Sequence, residues 1–378
     1  MLPKDRMIAA LEHREADRVP IGEIHADWEI IERALGRRTY VHSQWREWTA
    51  EWEGRRDEVV ASYCQDLVDL TRVFEWDFVR VPLMPARRER YQAPEIVGEY
   101  TWRDSAGIIW QYAPDTGGLP LPIWAPTLTI ADLAVPQDFR VDESRLEAIR
   151  AVVKSLGRTH FIVGGMPDPT FPWRYFDGFA GLLMRMASEP AFVSRAVALC
   201  LDGAVAWVEA MCDAGCDAIV NGIDYCDNQG PLMGPRLFRQ FCQPALAAIC
   251  DAVHRKGKFF IKHCDGYTWP ILDDFLAAGV DAWHGIQPPI GMDFVRLKER
   301  YAGRLCLCGG VNVDTLVRGT PEQVVAEVRE TLRVAAPGGG YVLSSGNSLV
   351  VGTKYENYRA LLAAGREYGH YSAMVRDR

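Results

Sequence analysis

The chain has 378 residues, 48% hydrophobic and 11% aromatic, which is ample for one large core. Its formal charge is −8 and its 42 basic residues are scattered, never five in a run, so it offers no basic face for nucleic acid or an anionic membrane. The first twenty residues include Lys4, Asp5, Arg6, Glu12, Arg14 and Glu15 without an apolar run, and no 18 consecutive apolar residues follow. Neither a signal peptide nor a membrane span is therefore expected. Ten cysteines are a modest number for this length, and they suit a cytoplasmic protein with reduced thiols.

In chain order, short β-branched or apolar runs alternate with amphipathic stretches. Strands are expected at Val19–Glu23, Asp77–Val81, His160–Gly165, Asp217–Asn221, Lys258–Lys262, Asp281–Gly285, Leu305–Gly309 and Gly340–Ser344. Between them lie helical segments such as Pro190–Ala214, Pro235–Arg255, Trp269–Ala278, Met292–Tyr301, Pro321–Ala336 and Lys354–Tyr368. Strands separated by helices call for parallel βαβ units. The expected fold is α/β, a (β/α)8 TIM barrel formed by the whole chain as one domain. An internal echo supports it, for Ala214-Gly215-Cys216-Asp217-Ala218 recurs as Ala278-Gly279-Val280-Asp281-Ala282. In each copy a glycine can stop one helix just before the next strand begins. A doubly wound open sheet would not need eight strands, and no GxGxxG follows the first of them.

The alternation fails between about residues 90 and 138. There Glu99–Trp102 and Ile108–Tyr112 read as a β-hairpin around Arg103–Gly107, followed by a Gly- and Pro-rich stretch. The segment is too small for a core of its own, so it is expected as an insertion over the barrel mouth.

Barrel chemistry sits just beyond the carboxyl ends of the strands. Those positions hold Glu23 and His25; Met166, Asp168, Phe171, Trp173 and Tyr175; Asp224, Tyr225, Cys226 and Asp227; His263, Cys264 and Asp265; His284 and Gln287; and Ser345 and Asn347. His13, His42 and His254 read as ordinary surface or helix residues. His263 and Asp265 offer either a metal ligand set or an acid–base pair, or simply a strand contact and a helix cap. Asp224 and Asp227 could serve a metal or a proton transfer, or cap their loop. Phe171, Trp173, Tyr175 and Phe176 suit a wall for a flat substrate, with core packing as the plain alternative. Trp102, Trp110 and Trp124 of the insertion could close over that wall.

Several segments together resemble the uroporphyrinogen decarboxylase superfamily. They are Arg6…Ala9-Ala10-Leu11-Glu12…Asp17-Arg18-Val19-Pro20, Asn228-Gln229-Gly230-Pro231-Leu232-Met233, Phe238-Arg239-Gln240-Phe241 with Pro244, and His263-x-x-Gly266. Gly309-Gly310-Val311-Asn312 and Leu343-Ser344-Ser345-Gly346-Asn347…Glu356-Asn357 complete the set. True decarboxylases of this kind carry Met-Arg-Gln-Ala-Gly-Arg-Tyr after the first strand. Here that stretch is Gly22-Glu23-Ile24-His25-Ala26-Asp27-Trp28, with no arginine to hold a porphyrinogen carboxylate.

The other branch of the superfamily is the zinc-dependent methyltransferases that exchange methyl groups with a corrinoid protein. Its members acting on coenzyme M use His-x-Cys and a later Cys, whereas this chain has Asp265 and Asn347 near those places. Its aromatic O-demethylases resemble the chain differently, through acid-x14-acid-x20-His. Asp227, Cys242 and His263 fall at those spacings, and cysteine is a competent zinc ligand.

The resemblance thus implies zinc on Asp227, Cys242 and His263, and a small aromatic substrate bound by Phe171, Trp173, Tyr175, Tyr225, His284 and Asn347. It also implies catalytic roles for His263, Asp224 and Asp265, a corrinoid supplied by a partner protein, and a homodimer. A metal-free decarboxylase or lyase, with Asp224 or Asp265 stabilising a developing cation, is the competing enzyme. A barrel that binds a tetrapyrrole or aromatic ligand without turnover is the non-catalytic alternative.

Overall fold

The computed structural model describes residues 1–114, 120–133, 139–166, 168–172 and 175–374. Its strands are β1 (Phe78–Pro82), β2 (Glu95–Gly98), β3 (Thr101–Arg103), β4 (Ile109–Gln111), β5 (Leu121–Trp124), β6 (Phe161–Met166), β7 (Ala218–Gly222), β8 (Cys226–Asp227), β9 (Gly230–Pro231), β10 (Phe259–His263), β11 (Ala282–Ile286), β12 (Cys306–Val311) and β13 (Tyr341–Ser345). A curled sheet of seven parallel strands runs β1-β6-β7-β10-β11-β12-β13. Helices cover its outer face, so β6, β12 and β13 are buried along their whole length.

The expected first strand, Val19–Glu23, is a single parallel bridge between Ile21 and Leu343 rather than a strand. It is held on both sides. Leu343 N donates to Pro20 O at 2.9 Å and Gly22 N to Leu343 O at 3.3 Å, while Asp77 N donates to Ile21 O at 2.8 Å.

All seven of the other expected strands start one residue late, and the aspartates explain part of this. Asp77, Asp217 and Asp281 stand just before β1, β7 and β11, and each turns its carboxylate onto a backbone N–H of a neighbouring segment. Asp77 accepts from Ile21 at 2.7 Å, Asp217 from Ile162 at 3.0 Å and Asp281 from Phe260 at 2.7 Å. A side chain thus replaces a ladder carbonyl at the floor of the sheet. Asp77 also takes Arg6 and Arg18, at 3.0 and 2.7 Å, and Lys4 reaches Asp217 at 2.7 Å. The repeated Gly-x-Asp-Ala pattern has this physical origin.

Helix α1 (Pro3–Leu11) closes the floor. Its Met7, Ala10 and Leu11 join Phe78, Phe161, Val163, Ala218, Val220, Ile261, Ala282, Cys306, Cys308 and Val342 in one apolar plug. A larger core lies between the sheet and its helices. One of those helices, Pro190–Asp213, is long and apolar enough by composition to cross a membrane; its Phe192, Val193, Ala196 and Val208 are buried in this outer core.

The expected helix Pro235–Arg255 is divided. A π turn, Phe238–Cys242, precedes Gln243–Arg255. Pro244 has no N–H for the regular ladder, which accounts for the break.

The irregular segment forms the antiparallel sheet β2-β3-β4-β5, with Trp102 opposite Trp110. It leans on the helix Gln44–Trp52, where Trp45, Trp48 and Trp52 lie 5.4 to 5.9 Å from Trp102. Trp124, expected to close over a substrate, is 48% exposed.

Candidate functional site

Side chains alternate along a strand, so the step beyond the apolar plug can be read from its members. Phe78 is followed two residues on by Arg80, Val163 by Gly165, Val220 by Gly222, Ile261 by His263 and Ala282 by His284. The interior therefore changes from hydrocarbon to a cation and imidazoles at the carboxyl ends of the strands. Gly165 is required there, since a Cβ on it would stand 2.6 Å from Arg80 Nε.

His263 and His284 face each other with Nδ1 atoms 2.8 Å apart. One must donate and the other accept, so the two rings cannot both carry a proton on Nδ1. Burial holds both below the usual imidazole range. His263 Nε2 lies 3.6 Å from Asp224 Oδ1, and Asp265 N donates to the same oxygen at 3.1 Å. Burial, then the Asp224 charge, pushes the Asp265 carboxyl up to about 7, so it keeps a proton near neutrality. Asn347 Nδ2 donates to Asp265 Oδ2, and Gly266 N to Gln287 Oε1 at 3.0 Å. His263, His284, Asp224, Asp265, Gln287 and Asn347, drawn from four separate loops or strand ends, thus form one rim.

His25 and His42 adjoin this rim, with rings 4.0 Å apart. His42, read from sequence as an ordinary residue, is only 9% exposed and sits at a left-handed φ of 57°. Its Nδ1 lies 2.9 Å from Ala26 O and its Nε2 is buried without a partner. Burial lowers it to about 3. Arg80 and Glu47 also escaped the sequence reading. The signal for Arg80 was the alternation Phe78-x-Arg80, which places a guanidinium on the inward face of a strand.

A second group lies on the outward face of β10. Lys262 Nζ is 3.1 Å from Asp168 Oδ2, 3.0 Å from Ile223 O and 4.2 Å from the Tyr225 ring centre. Tyr225 Oη donates to Asp168 Oδ2 at 2.6 Å, and Thr170 Oγ1 to Asp168 Oδ1 at 2.5 Å. Tyr225 is fully buried among Phe171, Phe238 and Phe275. The structure thus places Tyr225 and Phe171 in the packing behind the rim and not on an open wall. Tyr175 is half-buried against the main core, and Trp173 lies outside the described residues.

The zinc set that the resemblance implies is not gathered among the described residues. Asp227 Oδ1 caps its own loop, accepting from Gln229 N at 2.8 Å and Gly230 N at 3.0 Å. Cys242 is fully buried with Sγ 3.6 Å from Met233 Sδ, and burial pushes its thiol far above the usual range, away from the thiolate that zinc binds. His263 is committed to His284 and Asp224. Among the described residues no three His, Cys, Asp or Glu side chains are gathered for a metal. A separate open cleft of about 430 Å³, lined by Arg38, Tyr40, Trp45 and Arg55 among others, shares no residue with the rim.

The chain is 29% identical over 224 residues to the methylcobamide:CoM methyltransferase MtaA of Methanosarcina barkeri, spanning 59% of this chain and 63% of that protein. It is 24% identical to a uroporphyrinogen decarboxylase of Coxiella burnetii, spanning 97% of this chain and 96% of that one. In structure it matches a methyltransferase from Methanosarcina mazei with a TM-score of 0.71 at 22% identity, covering 97% of this chain and 99% of that one. Residues 107–368 match the family described as uroporphyrinogen decarboxylase (URO-D), and to that family this chain belongs.

Proposed function

We propose that the protein is a methyltransferase that moves a methyl group from a methoxylated aromatic, or a similar donor, to the Co(I) of a corrinoid protein. The similarity to a methylcobamide:CoM methyltransferase over 224 residues carries the methyl-transfer part of this reading. The rim supports it. On the same reading Pro20–Gly22 is the eighth stave of a closed barrel, and the β2–β5 sheet is an insertion beside its mouth.

A partner's corrinoid, when docked, supplies the nucleophile that accepts the methyl group. This chain's residues bind the donor, exclude water and manage one proton. Asp265 holds that proton beside the charge of Asp224 and beside Asn347. As the carbon–oxygen bond breaks, Asp265 gives its proton to the leaving oxygen, so that a neutral phenol departs. Exposed Asp224 lets solvent restore it. On this reading Asp265 is the residue of this chain that activates the leaving oxygen. His263 and His284 position the rim carboxylates. The ten free cysteines agree with a reducing cytoplasm.

The test is methyl transfer from a panel of methoxylated aromatics to Co(I) cobalamin, followed by loss of the Co(I) absorbance. Asp265→Asn should slow it by about a hundredfold or more with the fold intact. The full-length similarity to a uroporphyrinogen decarboxylase favours the competing decarboxylase. Release of CO₂ from a carboxylated pyrrole or aromatic acid, with no methyl transfer, would overturn the proposal in its favour.

A further inference from the structure

Arg80 is the one inward cation among the strand-end residues named above, and nothing in the described structure neutralises it. Its Nε is buried without a hydrogen-bond partner. The groups near enough to steady its charge are Tyr63 and Glu47. Tyr63 donates its hydroxyl to Glu47 Oε1 at 2.9 Å, and burial keeps both protonated at neutral pH, Glu47 up to about 8. A guanidinium cannot shed its proton in compensation. Arg80 is half-buried with its Nε fully enclosed; a charge held partly out of water without a counter-ion is costly, and a ligand can supply the missing partner.

The surroundings narrow the ligand's chemistry. The charge of Asp224 on the rim repels additional negative charge, and Asp265 beside it holds its proton. His42, whose Nδ1–H serves Ala26 O, presents a lone pair at Nε2 and not a second donor. The interior therefore has room for one negative charge, and a guanidinium matches a planar two-oxygen acceptor best. Phosphate, with its greater charge, fits poorly.

We propose that Arg80, lodged against Gly165 above the apolar plug, is the anchor for a single carboxylate on the substrate, which makes the substrate an aromatic acid and not a neutral arene. This rests on the reading of the rim as the reaction site, and it fixes which end of the donor points inward. With the carboxylate at Arg80, the methoxyl end is left for the Asp265 side of the rim.

Calorimetric titration tests it with 4-methoxybenzoate, 3,4-dimethoxybenzoate and benzoate, each against its neutral amide. Wild type should bind at least one acid tenfold or more tightly than the matching amide. Arg80→Gln should abolish the preference and Arg80→Lys restore part of it. Melting should show Arg80→Gln folded and at least as stable as wild type, since it removes an uncompensated cation. No acid preference in wild type, or an equal preference in Arg80→Gln, would overturn the proposal. Methyl transfer to Co(I) cobalamin is measured separately. Acid preference without transfer keeps the carboxylate anchor and sinks the methyltransferase reading; equal transfer from acid and amide does the reverse.

Discussion

Replacing Glu23 by glutamine isolates one proton in the stability of this fold. Glu23 is 2% exposed, its Oε1 accepts from Ser345 N at 2.9 Å and its Oε2 lies 2.8 Å from Ser345 Oγ. Burial outweighs those bonds and pushes the carboxyl from 4.5 up to about 8. The folded acid therefore holds its proton where the unfolded one has lost it. Its contribution is complete below about pH 4.5 and disappears as pH rises to about 8. At about 1.4 kcal/mol per pH unit, flattening as the folded acid begins to ionise, the loss between pH 6 and 8 is roughly 2 kcal/mol. Glutamine keeps both Ser345 contacts, accepting through Oε1 and donating through Nε2, and has nothing to titrate. Urea unfolding at pH 6, 7 and 8 should show wild type falling relative to Glu23→Gln by that order, because every other titrating group is common to both. Parallel pH curves would refute the reasoning.

Two further substitutions probe the layers around the rim. Lys262→Met leaves Asp168 buried with two hydroxyl partners and no cation, which should cost about 3–5 kcal/mol in urea unfolding; a loss under about 1 kcal/mol would show that the ion pair does not support the packing behind the rim. Gly165→Ala places a methyl 2.6 Å from Arg80 Nε and must displace the guanidinium. Its melting temperature should move little while benzoate affinity falls roughly tenfold and amide affinity stays unchanged; unaltered benzoate affinity would detach Arg80 from the ligand.

The rim shows how far sequence reading goes. His263, His284, Asp224, Asp265 and Asn347 lie together because residues just beyond the carboxyl ends of neighbouring parallel strands converge, whatever the loops between them do. Asp227 and Cys242 are linked to His263 only through the resemblance to a family's ligand spacing. Spacing carries no information about the π turn ahead of Pro244, or about the loop N–H groups that take the Asp227 carboxylate. Phe171 reads as part of a wall, and Tyr225 as a substrate contact, because aromatic residues after a strand can either line a cavity or fill the layer behind it. The Asp168–Lys262–Tyr225 network decides for the second, and its members are far apart in the chain.

Hydrophobic periodicity, glycine stops and the Gly-x-Asp-Ala echo by themselves determined a parallel α/β sheet wrapped by helices, since those signals are local and each segment must bury one face. Strand alternation even contained Arg80. Whether a charge meets a partner depends on groups contributed by other segments. Only the folded chain could leave Arg80 beside a protonated Glu47, set His42 against His25, and keep the three expected zinc ligands apart.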